Sequence, residues 1–280
     1  MGRRFLRLVY KILTWPDRAL RWAIARVLSG TVSTARFGLR EALVFSSSVD
    51  IWQRYAVIAE TIQHRSAEKL SILDIGAGGP GIARFLERQH YDICVLDYDI
   101  ARFISCGSRR PLRTVVADAC VLPFGPDSFD IVVSSDNLEH ILPQRRADYY
   151  RECQRVAKRM VLMHVPVTDE LGNFRGDFYD KKFQEIYRRI TGGDEFNIAE
   201  HIQNGLPSVS ELRVVFPSSR LCGWQNGDLW LRYMLVERIP YVRLLTGLFY
   251  LLFLQKTDRK PPFYSCFLHW EKPCSWGTSL

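Results

Sequence analysis

Hydrophobic positions in this chain fall into two periods, and the alternation between them lays out its organisation. From residue 69 onward, short apolar runs rich in β-branched residues (KLSILDIG, YDICVLDYD, RTVVADA, FDIVVSS, MVLMHVPV) are separated by amphipathic stretches (IARFLERQ, PQRRADYYRECQRVA). In the first of those stretches Ile82, Phe85 and Leu86 share one helical face. Strand and helix in turn predict an α/β fold, a mostly parallel sheet covered by helices on both faces. Between residues 168 and 212 the pattern turns polar and rich in Gly and Asp, with GDFYDKKFQEIYRRI and EHIQNGLPSVSEL reading as an inserted cap suited to substrate recognition. FYSCFLHWEK, residues 263–272, reads as a last strand.

Two further stretches carry apolar patterns of another kind. Residues 1–30 hold Arg3, Arg4, Arg7, Lys11, Arg18, Arg21 and Arg26 against the single acid Asp17, and Phe5, Leu8, Val9 and Ile12 recur at helical spacing with Trp15 and Trp22 nearby. This basic amphipathic helix would pack across the main domain or lie on an anionic membrane surface. No apolar run before residue 50 approaches the roughly 20 residues that span a bilayer or the shorter core of a secretory leader, and Leu6 breaks the myristoylation pattern. From Leu244 to Leu254 only Thr246 and Gly247 interrupt an apolar run, and Pro240 ends any longer helix. Such a segment reads as a buried helix, a dimer contact or a monotopic foot.

Composition narrows the function classes. A chain of 280 residues with 47% hydrophobic residues can bury a substantial core. Seven cysteines without a C-x-x-C pair give no basis for a disulfide framework or a zinc site, and fit a cytoplasmic compartment. The formal charge of +8 asks for an anionic partner, whether nucleic acid, phosphorylated substrate or acidic lipid.

The chemistry concentrates in SILDIGAGGPGIARFL, residues 71–86. A strand that ends in Gly76, Gly78, Gly79 and Gly81 and turns into a helix presents bare backbone N–H groups and a positive helix end to a nucleotide-like ligand. Asp97, at a strand end, suits ribose hydroxyls. Asp74, two residues before the turn, would repel a pyrophosphate but attract a ligand carrying an ammonium and a sulfonium. Asp118, in VVADACVLPF, suits an adenine amino group, and FDIVVSSDNLEHI opens from a strand into a polar loop.

These features in this order resemble a class I S-adenosylmethionine-dependent methyltransferase, of the broad group that includes quinone-biosynthesis methyltransferases, over about residues 69–167. The resemblance implies a Rossmann-like fold and S-adenosyl-L-methionine as cofactor. It implies that Asp74, Gly76 and Gly78 hold the methionine part, Asp97 and Tyr98 the ribose, and Asp118 and Ala119 the adenine. Ser135, Asp136 and Asn137 would run under the sulfonium, with LEHI matching the family's Glu-His. Pro80 departs from the family pattern where a third glycine stands. The chain then divides into a basic N-terminal extension (1–50), a cofactor-binding core (51–167), an inserted cap (168–218) and a C-terminal part of the fold (219–280).

Methyl transfer needs alignment and water exclusion, and a base only for a poorly ionised acceptor. His140 follows strand four at the sheet's carboxyl edge and is the candidate base. His164 lies inside an apolar strand and reads as a core histidine, Asp130 reads as a structural acid, and His201, Glu200, Asp177 and Tyr179 are weaker candidates for substrate contacts. No metal-ligand spacing emerges, so the reaction is expected to be metal-independent. The expected acceptor is a small molecule or a membrane-associated lipid, quinone or lipid-linked glycan, methylated at oxygen, with the protein cytoplasmic or peripheral on the inner face of a membrane. RNA methylation is the second reading, supported by charge but not by any aromatic-basic platform, and a non-catalytic scaffold the third.

Overall fold

The computed structural model describes residues 49–63, 69–79, 81–86, 90–99, 113–237, 246–247 and 249–273. The basic helix expected within residues 1–30, Pro80, Cys106, Cys274 and much of the apolar segment before Phe249 lie outside the described residues.

Helix α1 (Val49–Gln63) leads into β1 (Leu70–Ile75), β2 (Tyr91–Asp97), β3 (Arg113–Val116) and β4 (Phe129–Ser135). Helix α2 (Arg146–Val156) precedes β5 (Ala157–Pro166), and α3 (Gly176–Thr191), α4 (Phe196–Asn204) and α5 (Val209–Val215) follow it. β6 (Arg220–Asn226), α6 (Gly227–Val236) and β7 (Phe263–Glu271) complete the order. The seven strands lie side by side as β3-β2-β1-β4-β5-β7-β6. β1 to β5 run parallel, and β7 is antiparallel to both β5 and β6. This is the mostly parallel α/β sheet that the alternation predicts. Strand order reverses between β1 and β4, and the carboxyl ends of that pair open the crevice where such sheets receive ligands.

Both faces of the sheet are covered. In β1, Leu70 and Ile72 pack toward Tyr55, Ile58 and Ile62 of α1, whereas Leu73 and Ile75 pack toward Tyr149, Cys153 and Val156 of α2. Ile58, Ile62, Ile72 and Leu73 are fully buried, and each such side chain contributes about 1.5–3 kcal/mol. Asp130 accepts from both the backbone N–H and the hydroxyl of Ser71 and pairs with Arg159 at 3.0 Å, a structural acid as expected.

The polar stretch after β5 divides. Helices α3 and α4 meet α6 through Tyr179, Phe183, Ile198 and Trp230, with Trp230 stacked on Tyr264 of β7 at a centroid distance of 3.7 Å. Helix α5, opened by a Ser208–Glu211 capping box, instead joins the core through Val209, Leu212 and Phe216.

Two local expectations change. The amphipathic stretch after the glycine loop forms a 3₁₀ turn at Gly81–Arg84 rather than a full α-helix over its described residues, and the Ile82 N–H at its start donates to the Asp74 carboxylate at 2.7 Å. β6 carries no clear strand pattern in RLCGWQN, yet forms by pairing with β7, where a Cβ at Gly223 would fall 2.1 Å from the Phe263 ring.

Candidate active site

The glycine loop is held in a form that only glycine allows at two positions. Gly76 (φ +69°) lies against Asn137, whose side-chain amide would be 2.2 Å from any Cβ there, and Gly81 (φ +49°) leaves 2.0 Å to Asp74 Oδ2. Both conformations are ones that L side chains avoid.

Asp74, expected to face the ligand, sits beneath the loop instead. It shares the α1 side of β1 with Ile72, is fully buried and does not line the cavity. Its Oδ2 accepts from Ile82 N–H, and its Oδ1 has no hydrogen-bond partner. Burial pushes its carboxyl up to about 7 against the Ile82 hydrogen bond, with the charge of Asp97 adding to the rise. Asp97 is buried at the end of β2, where its carboxylate accepts from the N–H groups of Gly78 (2.9 Å) and Asp99 (3.1 Å) and so ties the loop to the next strand. Tyr98 beside it is 73% exposed. Asp118 accepts from Cys120 N–H at 2.8 Å and pairs with Arg145 at 2.9 Å, and these two contacts hold its carboxyl below the usual range. Ala119 is half-buried next to it.

A cavity of about 340 Å³ opens over the loop. Of the residues singled out in sequence, Gly76, Gly78, Gly79, Gly81, Ser135, Asp136, His140 and His201 line it; Asp74, Asp97, Tyr98, Asp118, Ala119 and Asn137 do not. Ser135 is buried with a hydroxyl that has no hydrogen-bond partner. Asn137 donates to the Tyr149 hydroxyl at 3.2 Å and packs behind the loop.

The opposite wall is a row of titratable groups. His140 Nδ1 meets Glu200 at 2.7 Å, and its Nε2 faces His201 Nε2 at 3.4 Å. His201 Nδ1 in turn meets Asp180 at 3.2 Å, and Asp180 accepts from the Tyr264 hydroxyl at 2.8 Å. Burial and the neighbouring His201 hold His140 below the usual imidazole range against the pull of Glu200. Glu139 is fully buried, and neither of its oxygens has a hydrogen-bond partner. Burial, reinforced by Asp136, lifts it to about 8. Asp136, at φ +46°, is clamped between Arg54 (2.8 Å) and His164 Nδ1 (2.6 Å). Burial opposes its charge, but those two partners bring it down to about 2.

His164 is the core histidine expected, buried with its Nε2 on the Ser265 hydroxyl at 2.8 Å. Of the weaker candidates, His201 lines the cavity and Glu200 reaches it through His140. Asp177 pairs with exposed Lys181, and Tyr179 is buried on Asp228, so neither takes part. Arg54, Asp180 and Tyr264 were not legible as site residues, because nothing local distinguishes them and they enter from α1, α3 and β7.

Residues 73–163 match the family model described as Methyltransferase domain. Comparison with curated proteins finds no match. Among solved structures, the Haemonchus contortus phosphoethanolamine N-methyltransferase 2 in complex with S-adenosyl-L-methionine is similar at 16% identity and TM-score 0.50 over 86% of this chain. The same enzyme with phosphomonomethylethanolamine and S-adenosylhomocysteine matches at the same identity and TM-score over 86% of this chain. The chain spans 61% of that enzyme's length, under two thirds, and the likeness is one of fold. A chain of the complex containing the Haloferax volcanii Trm112 methyltransferase activator is similar at 16% identity and TM-score 0.49, over 86% of this chain and 100% of that one.

Proposed function

The chain is a class I S-adenosylmethionine-dependent methyltransferase by its residues 73–163, and we propose that it methylates oxygen on a small-molecule or membrane-associated acceptor lying against the His140–His201 wall. The observation that carries this reading is that one cavity is lined both by the bare glycine loop and by that imidazole pair.

S-Adenosyl-L-methionine fits the residues present. Gly76 and Gly81 leave no room for a Cβ, Asp74 keeps an unpartnered oxygen beneath the loop, and Ser135 keeps an unpartnered hydroxyl beside it. Gly76, Gly78 and Ser135 would hold the methionine part, with Asp74 and Asn137 supporting from behind. Asp97 and Tyr98 would take the ribose, and Asp118 and Ala119 the adenine. When bound, the cofactor supplies a methyl group already activated by its sulfonium. What remains for the protein is alignment and exclusion of water. Tyr55, Ile198, Trp230 and Met234 give the cavity an apolar side for the second task. His140, oriented by Glu200, is the group placed to help an acceptor hydroxyl shed its proton.

The surface beyond α6 supports a membrane-associated acceptor, a lipid, quinone or lipid-linked glycan met at the inner face of a membrane. Phe249 and Phe253 are 54% and 66% exposed, and Lys256 and Lys260 are exposed nearby. Apolar rings beside cations suit an anionic lipid interface. No helix of the described residues is long and apolar enough to cross a membrane.

The deciding experiment supplies labelled methyl donor to fractionated cell extract. Label entering the lipid-extractable or small-molecule fraction is expected. Label confined to RNA would favour nucleic-acid methylation, and cofactor binding without turnover on any fraction would favour a scaffold.

A further inference from the structure

Glu139, His140 and His201 lie together in the acceptor wall, and their ligating atoms all fall within 4.8 Å of one another. Three features of this trio go beyond proximity. First, the Nε2 atoms of the two imidazoles lie 3.4 Å apart. Two nitrogens bound to a tetrahedral zinc ion at about 2.05 Å would be about 3.3 Å apart. Second, each imidazole is held on its far side by a carboxylate: His140 Nδ1 by Glu200 at 2.7 Å, and His201 Nδ1 by Asp180 at 3.2 Å. That is the outer arrangement which orients a metal-bound histidine and fixes its tautomer. Asp180 is anchored in turn by the Tyr264 hydroxyl. Third, Glu139 is fully buried with two oxygens that have no hydrogen-bond partner, and Oε1 stands 3.8 Å from His201 Nε2. A buried carboxylate so placed is an unmet demand for a cation or a proton.

We propose that Glu139, His140 and His201 form a binding site for a borderline divalent transition-metal ion, zinc-like in its preferences, with one coordination position open to the cavity. Two imidazoles and one carboxylate are the donor set of many such open sites. This runs against the metal-independent reaction expected from sequence, where the contiguous Glu139-His140 pair gives no spacing signal and His201 is 61 residues from His140. The site stands on its own geometry, whereas its part in the reaction rests on the acceptor reading above. There an acceptor hydroxyl would bind the ion through oxygen and lose its proton to water, as metal-bound water does near neutrality. His140 would then act as a ligand rather than as a free base.

The test uses the full chain, free of any histidine tag and stripped by chelator. Zn²⁺ alone is titrated by calorimetry, and Co²⁺ alone by its visible absorption. One site per chain is expected, with a cobalt spectrum of low-symmetry coordination. His140→Ala and His201→Ala should each weaken Zn²⁺ binding at least tenfold, and Glu200→Gln should weaken it by roughly 10–100-fold through the outer contact. S-Adenosylhomocysteine binding and thermal unfolding of each variant establish that it is folded. Absence of stoichiometric Zn²⁺ binding, or binding unchanged in both histidine variants, overturns the site and leaves the two Nε2 atoms sharing a proton. If S-adenosylhomocysteine binds and Zn²⁺ does not, the inference falls while the methyltransferase reading stands. If Zn²⁺ binds and S-adenosylhomocysteine does not, the reverse holds.

Discussion

The glycine loop and the histidine wall face each other across one cavity but draw on different parts of the chain. The loop side is contiguous: the Ile82 N–H returns to the Asp74 carboxylate, and its braces, Asp97 and Asn137, come from the end of β2 and the turn after β4. The wall side is assembled from Arg54 on α1, Asp136 to His140 after β4, Asp180 on α3, His201 on α4 and Tyr264 on β7. The first works mainly through backbone, fixed by glycines at positive φ. The second works through side chains whose protonation depends on one another.

The contrast predicts that loop and wall substitutions fail differently. Gly81→Val should have the largest effect, because a Cβ would lie 2.0 Å from Asp74 Oδ2 on a backbone at φ +49°. Steric overlap and left-handed strain together should cost on the order of 3 kcal/mol or more. Calorimetry should show S-adenosylhomocysteine affinity falling at least a hundredfold. His140→Ala should leave that affinity within about threefold of the parent and lower turnover about a hundredfold or more. If His140→Ala lost cofactor binding as severely as Gly81→Val, the division of labour would be wrong.

A pH series sharpens the loop side. The Asp74 carboxyl, near 7 when folded against 3.8 ordinarily, binds its proton more tightly in the folded chain. Its contribution to stability is thus fully present below about pH 4 and is lost as pH rises through about 7, a change of up to about 4 kcal/mol. Urea unfolding of the cofactor-free chain should show that decline, and Asp74→Asn should flatten it. An identical slope in the variant would mean that other groups set it. The smallest effect is expected at Asp118, whose pair with Arg145 is about half exposed. Asp118→Ala should weaken S-adenosylhomocysteine several-fold and leave thermal stability nearly unchanged.

The same division explains what could be read from sequence. β1 and β4 are apolar on both faces because both faces are buried, so SILDI and DIVVSS announce a parallel sheet without any tertiary information. Gly76, Gly78 and Asp97 were legible because the loop's chemistry lies within one strand-turn unit and the next strand end. The resemblance implies that Asp74 contacts the cofactor, whereas the period of β1 places it beside Ile72 rather than on the loop's open face. β6 escaped because Gly223 and its polar neighbours exist to fit β7, a partner 40 residues on. Asp180 and Tyr264 escaped for a related reason: each is an ordinary residue until His201 is brought to it.

Helix α1 carries a practical consequence for anyone preparing this protein. It is riveted to the far end of the chain: Val49 N–H donates to Glu237 at 2.5 Å, Gln53 donates to Asp258 at 2.6 Å, and Trp224 donates to the Gln53 carbonyl at 3.0 Å. A gene trimmed to residues 73–163 would keep the loop but discard Arg54, Asp180, His201 and Tyr264, leaving half a pocket and an uncovered sheet face. Any fragment must therefore keep at least Val49 to Lys272, whose ammonium reaches Asp127 at 2.6 Å, and inactivity of anything smaller would say nothing about the enzyme.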